Sequence, residues 1–137
     1  MATEKKRILL VDDDRSLLRL LSMRLSAASY SVTAVESGEQ ALVQLPLYNP
    51  HLIITDLQMA GMDGMTLFNH VHARYPLLPV LVLTAHGTIP GAVEAIRSGV
   101  FSYLTKPYDS KILLEHVARA MKLSEEQCPS TAPVLQI

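Results

Sequence analysis

The residues best suited to chemistry in this chain sit at the ends of short apolar runs. Asp12, Asp13 and Asp14 come directly after the run at 7–11, Asp56 after 51–55, Thr84 closes 79–84, and Lys106 stands just past 100–104. In a parallel sheet all strands finish at one edge, and ligands bind there near the reversal in strand order. Those ends then bring carboxylates, a hydroxyl and an ammonium to one rim. Nothing comparable stands after the run at 30–35, which ends at Val35 and Glu36, as expected of an edge strand away from the site.

Charge decides what the rim can hold. Asp12, Asp13 and Asp56 against Lys106 leave an excess of about two negative charges, and each like-charge pair near 4 Å costs about 4 kcal/mol at an effective dielectric near 20. Either carboxylates stay protonated or a divalent cation sits among them. All-oxygen ligands with few protein contributors suit Mg²⁺, which keeps waters and bridges phosphates, and Mn²⁺ should substitute. A carboxylate, a divalent metal, a lysine and a hydroxyl make a small phosphoryl-transfer site, where positioning and neutralised equatorial oxygens matter most. Asp56, ending the middle run and facing the cation, is the natural nucleophile, and its product is a reactive, temporary acyl phosphate.

Plainer roles compete. Asp14 is expected to be a helix N-cap rather than a ligand. Asp56 suits a turn before Gly61 and Gly64, Thr84 a strand-end hydroxyl, and Lys106 a solvated lysine. Each alternative stands well alone, but four convergent strand ends favour a shared site. His70 and His72 are two apart and share no helix face, which argues against a metal pair. His51 and His116 fit surface or boundary positions. The six methionines fit core and loop filling.

The elements that must position these groups are legible in the pattern. Five nearly continuous apolar runs, at 7–11, 30–35, 51–55, 79–84 and 100–104, suit buried parallel strands. Between them lie stripes with helical spacing: Leu17, Leu21 and Leu25; Leu67, Phe68 and Val71; Ile89, Val93 and Ile96; Leu113, Val117 and Met121. Ser37 through Gln40 predicts a capping box for the second helix, continued by Ala41, Leu42 and Leu45. The alternation predicts an α/β fold, a single doubly wound five-stranded parallel sheet with five helices and right-handed crossovers. From about Ser124 the periodicity stops, so residues 1–123 read as one domain and 124–137 as a linker or tail.

Composition bounds the rest. The chain has 137 residues, 49% hydrophobic and 18% charged, enough for a single core. Net charge is −1 and Lys5, Lys6 and Arg7 are the densest basic run, which argues against direct nucleic-acid contact by this segment. The single cysteine, Cys128, excludes an internal disulfide and fits a reducing compartment. No apolar run reaches membrane-spanning length and the N-terminus is polar, so the expected location is cytoplasmic.

The motifs resemble those of receiver domains of bacterial two-component response regulators over residues 7–123. They are Leu-Val-Asp-Asp-Asp at 10–14, Ile-Thr-Asp-Leu-Gln-Met at 54–59, Gly-Met-Asp-Gly at 61–64, Leu-Thr-Ala at 83–85 and Tyr-Leu-Thr-Lys-Pro at 103–107. Thr-Ala-His-Gly at 84–87 and residues 92–99 are similar to the nitrogen-regulation class, enhancer-binding activators with an ATPase module and a helix-turn-helix tail, and within it to the QseF/GlrR-type subgroup. The resemblance implies the flavodoxin-like, CheY-like strand order 2-1-3-4-5. It implies a phosphoacceptor Asp56 served by a sensor histidine kinase. Mg²⁺ would be held by Asp13 and Asp56 directly, by Asp12 through water, and by the Gln58 backbone carbonyl. Lys106 would pair with the phosphoryl group, with its bond to Pro107 expected cis. Thr84 and Tyr103 would be the switch, acting on the surface of the fourth helix, fifth strand and fifth helix. Gln58 and His86 would set phosphate lifetime. Ala60 departs from the family's usual proline and removes no ligand. Such proteins often dimerise through receiver or linker surfaces.

Other functions fit less well. A stand-alone receiver that acts only by docking has the same site and differs in whether an output module lies beyond residue 137. An Asp-nucleophile phosphatase commonly carries a second Asp two residues on, where this chain has Gln58. A flavin-binding protein needs a Ser/Thr/Gly-rich loop where Asp12 to Asp14 stand. The domain is therefore expected to be no enzyme beyond phosphorylation and dephosphorylation of its own Asp.

Overall fold

The computed structural model describes residues 6–59, 61–85, 87–106 and 108–127. Strands and helices alternate strictly: β1 (Arg7–Val11), α1 (Arg15–Ala27), β2 (Ser31–Val35), α2 (Gly38–Tyr48), β3 (Leu52–Thr55), α3 (Gly64–Arg74), β4 (Val80–Thr84), α4 (Ile89–Ser98), β5 (Ser102–Thr105) and α5 (Ser110–Gln127). The strands form one parallel sheet in the order β2-β1-β3-β4-β5. Both the fold class and the order expected from the sequence are borne out, and β2 is indeed an edge strand. Among the described residues no helix is long and apolar enough to cross a membrane.

Successive strand residues point to opposite faces, so a continuous apolar run feeds two cores. Ile8, Leu10, Ile54 and Leu83 pack with Leu18, Leu21 and Leu25 of α1 and Leu113 and Val117 of α5. Leu9, Val11, Ile53 and Val82 pack with Ala41 and Leu45 of α2, Leu67, Phe68 and Val71 of α3, and Ala95 of α4. At roughly 1.5–3 kcal/mol for each buried aliphatic or aromatic side chain, this two-faced burial dominates the sheet's stability.

The helices start where side chains satisfy their free N–H groups. Asp14 Oδ1 accepts from the Ser16 and Leu17 amides, as expected of a cap. Ser37 Oγ accepts from Gln40 N, but the Gln40 side chain reaches back to the Glu36 amide rather than to that of Ser37, so the box closes one residue wider than predicted. Asp63 caps α3 through Thr66 N, at 2.8 Å. α2 continues through Pro46 to Tyr48 and ends on Asn49 in the left-handed conformation. α5 runs to Gln127, past Ser124, where the apolar spacing of the sequence lapses. Cys128 and the rest of the tail lie outside the described residues.

The Asp63 cap yields a prediction. The Thr66 amide holds the Asp63 carboxyl below its ordinary value of 3.8, so its contribution is present above that pH and is lost as pH falls through the lower folded value. Asp63→Ala should cost about 1 kcal/mol at neutral pH. Denaturant melts of the two proteins should converge in acid below the ordinary carboxylate value.

Candidate functional site

Strand-ladder hydrogen bonds carry past the strand ends and fix the rim. Asp12 N donates to Val35 O at 3.2 Å, Asp56 N to Val11 O at 3.2 Å, and Lys106 N to Thr84 O at 2.8 Å. The backbone at each position is therefore set by the neighbouring strand, and the side chains diverge from fixed anchors.

Asp12, Asp13 and Asp56 come together, each offering a carboxylate oxygen within 4.8 Å of the others. Asp12 and Asp56 are buried, at 3% and 6% exposure, while Asp13 is open to solvent. The Lys106 ammonium donates to Asp12 Oδ2 at 3.0 Å and to Asp56 Oδ2 at 3.2 Å. Asp12 Oδ1 accepts from Asp14 N, and Asp56 Oδ1 from Leu57 N at 2.6 Å. These contacts engage both oxygens of each buried acid, one with Lys106 and the other with a backbone amide.

Burial pushes the Asp12 carboxyl above its ordinary value, against the Asp14 amide and Lys106, which pull it down. Burial also opposes charge on Lys106, but the hydrogen bonds and charges of Asp12 and Asp56 outweigh it and raise the amine. The two partners thus respond in opposite senses, one toward its neutral form and one toward its charged form. The 3.0 Å contact is that of an ion pair.

The structure also places the remaining expected positions. Thr84 is fully buried at the end of β4, beside β3. Gln58 is exposed on the loop after Asp56. Tyr103 is half-buried on β5 against the α2–α4 core, and its hydroxyl is buried with no hydrogen-bond partner among the described residues. A lone buried hydroxyl costs about 1–3 kcal/mol. The ring expected to turn inward on activation already has its hydroxyl out of solvent. His86, Ala60 and Pro107, with its expected cis bond, lie outside the described residues. His72 stacks on Phe68, with ring centroids 5.1 Å apart, and His70 is exposed. His51 Nδ1 accepts from Arg7 N, and His116 Nδ1 lies 2.6 Å from Ser102 Oγ, both boundary positions.

Gly64 is a position whose role the motif alone did not reveal. A Cβ there would overlap the Asp56 carbonyl oxygen and press on Leu57 Cα, and Gly64 N donates to Leu57 O at 2.7 Å. The first turn of α3 therefore packs directly on the backbone that carries Asp56. The Gly-Met-Asp-Gly motif at 61–64 was the available signal, and it carried no sign of this contact.

A family model described as the response regulator receiver domain matches residues 8–118. The chain belongs to that family. This receiver is 45% identical over 131 residues to the transcriptional regulatory protein GlrR of Escherichia coli K12, covering 96% of the chain and 29% of GlrR. It is 39% identical over 126 residues to the DNA-binding transcriptional regulator NtrC of Klebsiella pneumoniae, covering 91% and 27%. The receiver thus spans under a third of the length of these curated relatives. Among solved structures, the receiver domain of a putative LuxO repressor from Vibrio parahaemolyticus superposes with TM-score 0.88 at 28% identity, covering 95% of this chain and all of that one. NtrX from Brucella abortus in complex with ADP superposes with TM-score 0.84 at 28% identity, covering 90% and 29%. The nitrogen-regulation class and the GlrR/QseF subgroup inferred from the motifs are both borne out.

The packing and the charges each lead to a testable expectation. Gly64→Ala should destabilise the receiver by about 2–3 kcal/mol, read as a lowered urea midpoint, because backbone cannot yield to the added methyl. At an effective dielectric near 20, Asp56 is repelled by Asp12 and Asp13 by at least about 3.5 kcal/mol each, against an attraction to Lys106 of about 5 kcal/mol. Repulsion wins by about 2 kcal/mol before solvent screening at Asp13. Asp56→Asn should therefore melt higher than wild type in chelator, and Mg²⁺ should raise the wild-type melting temperature more than the variant's.

Proposed function

We propose that the domain is a phosphoacceptor switch that takes a phosphoryl group onto Asp56 from a sensor histidine kinase and controls transcription activation by an output module. The observation that carries this reading is the single ammonium of Lys106 shared between Asp12 and Asp56 beside the open carboxylate of Asp13, in a chain of the receiver family. The three acids gather an all-oxygen donor set, which suits a divalent cation.

In this reading Asp13 and Asp56, Asp12 through water and the Gln58 carbonyl would hold Mg²⁺, with Mn²⁺ able to substitute, and the bound ion would supply charge neutralisation for the phosphoryl oxygens. Asp56 Oδ1 is tethered by the Leu57 amide, so the other oxygen, now bonded to Lys106, is the one free to attack. Attack forms the acyl phosphate and breaks the donor's P–N or P–O bond. Lys106 then moves its bond from Asp56 to a phosphoryl oxygen, and the Thr84 hydroxyl bonds another. Gln58 and His86 set the lifetime of the product. The chemistry is limited to the domain's own aspartate.

The output is a population shift. The phosphoryl group adds charge and acceptors at the rim, and Thr84 and Tyr103 transmit this to the surface of α4, β5 and α5. Moving from 1:99 to 99:1 takes about 5.5 kcal/mol of differential stabilisation. Residues 1–123 are the receiver and 124–137 a linker to ATPase and DNA-binding modules, as the greater length of GlrR and NtrC suggests, with dimerisation through receiver or linker surfaces.

The test is labelling with a small acyl phosphate donor. Wild type with Mg²⁺ should gain one acid-stable, base-labile phosphoryl group, and Asp56→Asn should gain none. Lys106→Ala should keep metal binding and lose most of the response at the α4–β5–α5 surface, read by amide NMR shifts. Undiminished labelling of Asp56→Asn would sink the assignment.

A further inference from the structure

Gly87 lies between Thr84 and the start of α4, on the turn that covers Tyr103. Its backbone does not require glycine: the positive-φ glycines among the described residues are Gly61 and Gly99. What glycine supplies at 87 is space. A Cβ there would stand 3.1 Å from Tyr103 Cε1, 3.3 Å from Tyr103 Oη and 2.7 Å from Thr105 Cγ2. Gly91, in the first turn of α4, differs: a Cβ there would meet Thr88 Oγ1 at 2.8 Å and stand at ordinary contact distance, 3.5 Å, from Tyr103 Oη. Gly87 therefore forms a seat under the β4–α4 turn, and the Tyr103 ring lies against it.

The seat has an internal opponent. The Tyr103 hydroxyl is buried with no partner among the described residues, and such a group favours a position where water can reach it. Packing draws the ring in and the unsatisfied hydroxyl draws it out.

We propose that Gly87 is the positioning residue that sets the resting balance of the Tyr103 ring, and through it how readily the domain switches. The inference rests on the reading of Tyr103 as part of the switch. A methyl at 87 fills the seat and drives the ring outward. Removal of the hydroxyl takes away the outward pull and settles the ring inward.

The experiment reads the ring directly in the 137-residue chain by ¹⁹F NMR with fluorotyrosine, the Tyr103 resonance being identified by its loss in Tyr103→Phe. Gly87→Ala is made in a Thr105→Ser background, so that the clash with the Thr105 methyl is absent and the contact with Tyr103 remains. Without any phosphodonor, the ratio of solvent-exposed to buried Tyr103 ring should rise about tenfold over Thr105→Ser alone. An unchanged Tyr103 resonance in the double variant overturns the proposal. As a second arm, Tyr103→Phe read with fluorophenylalanine should show a smaller exposed fraction than wild type, and a larger one overturns it equally. Labelling by an acyl phosphate separates this from the underlying reading: the double variant should label Asp56 as wild type does. Failure of wild type itself to label would remove the phosphoacceptor reading, while the donor-free spectra would still decide the role of Gly87.

Discussion

Two of the three carboxylates at the sheet edge share the ammonium of Lys106, and the rest of the site is arranged around that sharing. One ammonium shared by Asp12 and Asp56 leaves these two buried acids one negative charge in excess, directly beside a buried strand end. That charge is tolerated because backbone geometry leaves it no escape. Asp12 and Asp56 are tied to Val35 and Val11 by ladder hydrogen bonds, and the apolar strands beneath them cannot shift without exposing both cores. The folding energy of the sheet holds the acids together against their repulsion, which is what makes the rim receptive to a cation.

The same ladder joins the rim to the α4 side of the sheet. Thr84 ends β4, and its carbonyl holds the Lys106 amide, so the lysine backbone and the threonine are one hydrogen-bonded unit. Tyr103 pairs with Val82 in the same ladder and carries its side chain to the α4 side of the sheet. Its hydroxyl is buried without a partner among the described residues, while Gly87 on the turn above leaves room for the ring. A packed ring in a close-fitting seat moves between discrete positions rather than by degrees. The edge strand β5 is where such movement meets least resistance, because one side of it has no neighbouring strand.

Keeping space open matters as much as placing charge. Gly64 lets α3 begin directly on the Asp56 backbone, with no room for even a methyl group. The two positions differ in kind: Gly64 lies against the backbone that carries Asp56, whereas Gly87 lies against the Tyr103 side chain. Both are glycines near the rim, and neither is explained by a positive φ.

How much of this was legible in the sequence depends on the range of the interaction. Local pattern determined the five strands, the helices between them and the caps at Asp14 and Ser37, because period and capping are set within a few residues. The rule that parallel strands end at one edge then nominated Asp12, Asp13, Asp56, Thr84 and Lys106. Pairing and space lay beyond its reach. That Lys106 bonds both Asp12 and Asp56, that the Gln40 side chain closes on Glu36, that Gly64 and Gly87 are needed for the groups lying against them, and that the Tyr103 hydroxyl is already buried were decided by tertiary structure. Those facts depend on which atoms from distant segments come within a few ångströms, and no local spacing encodes that.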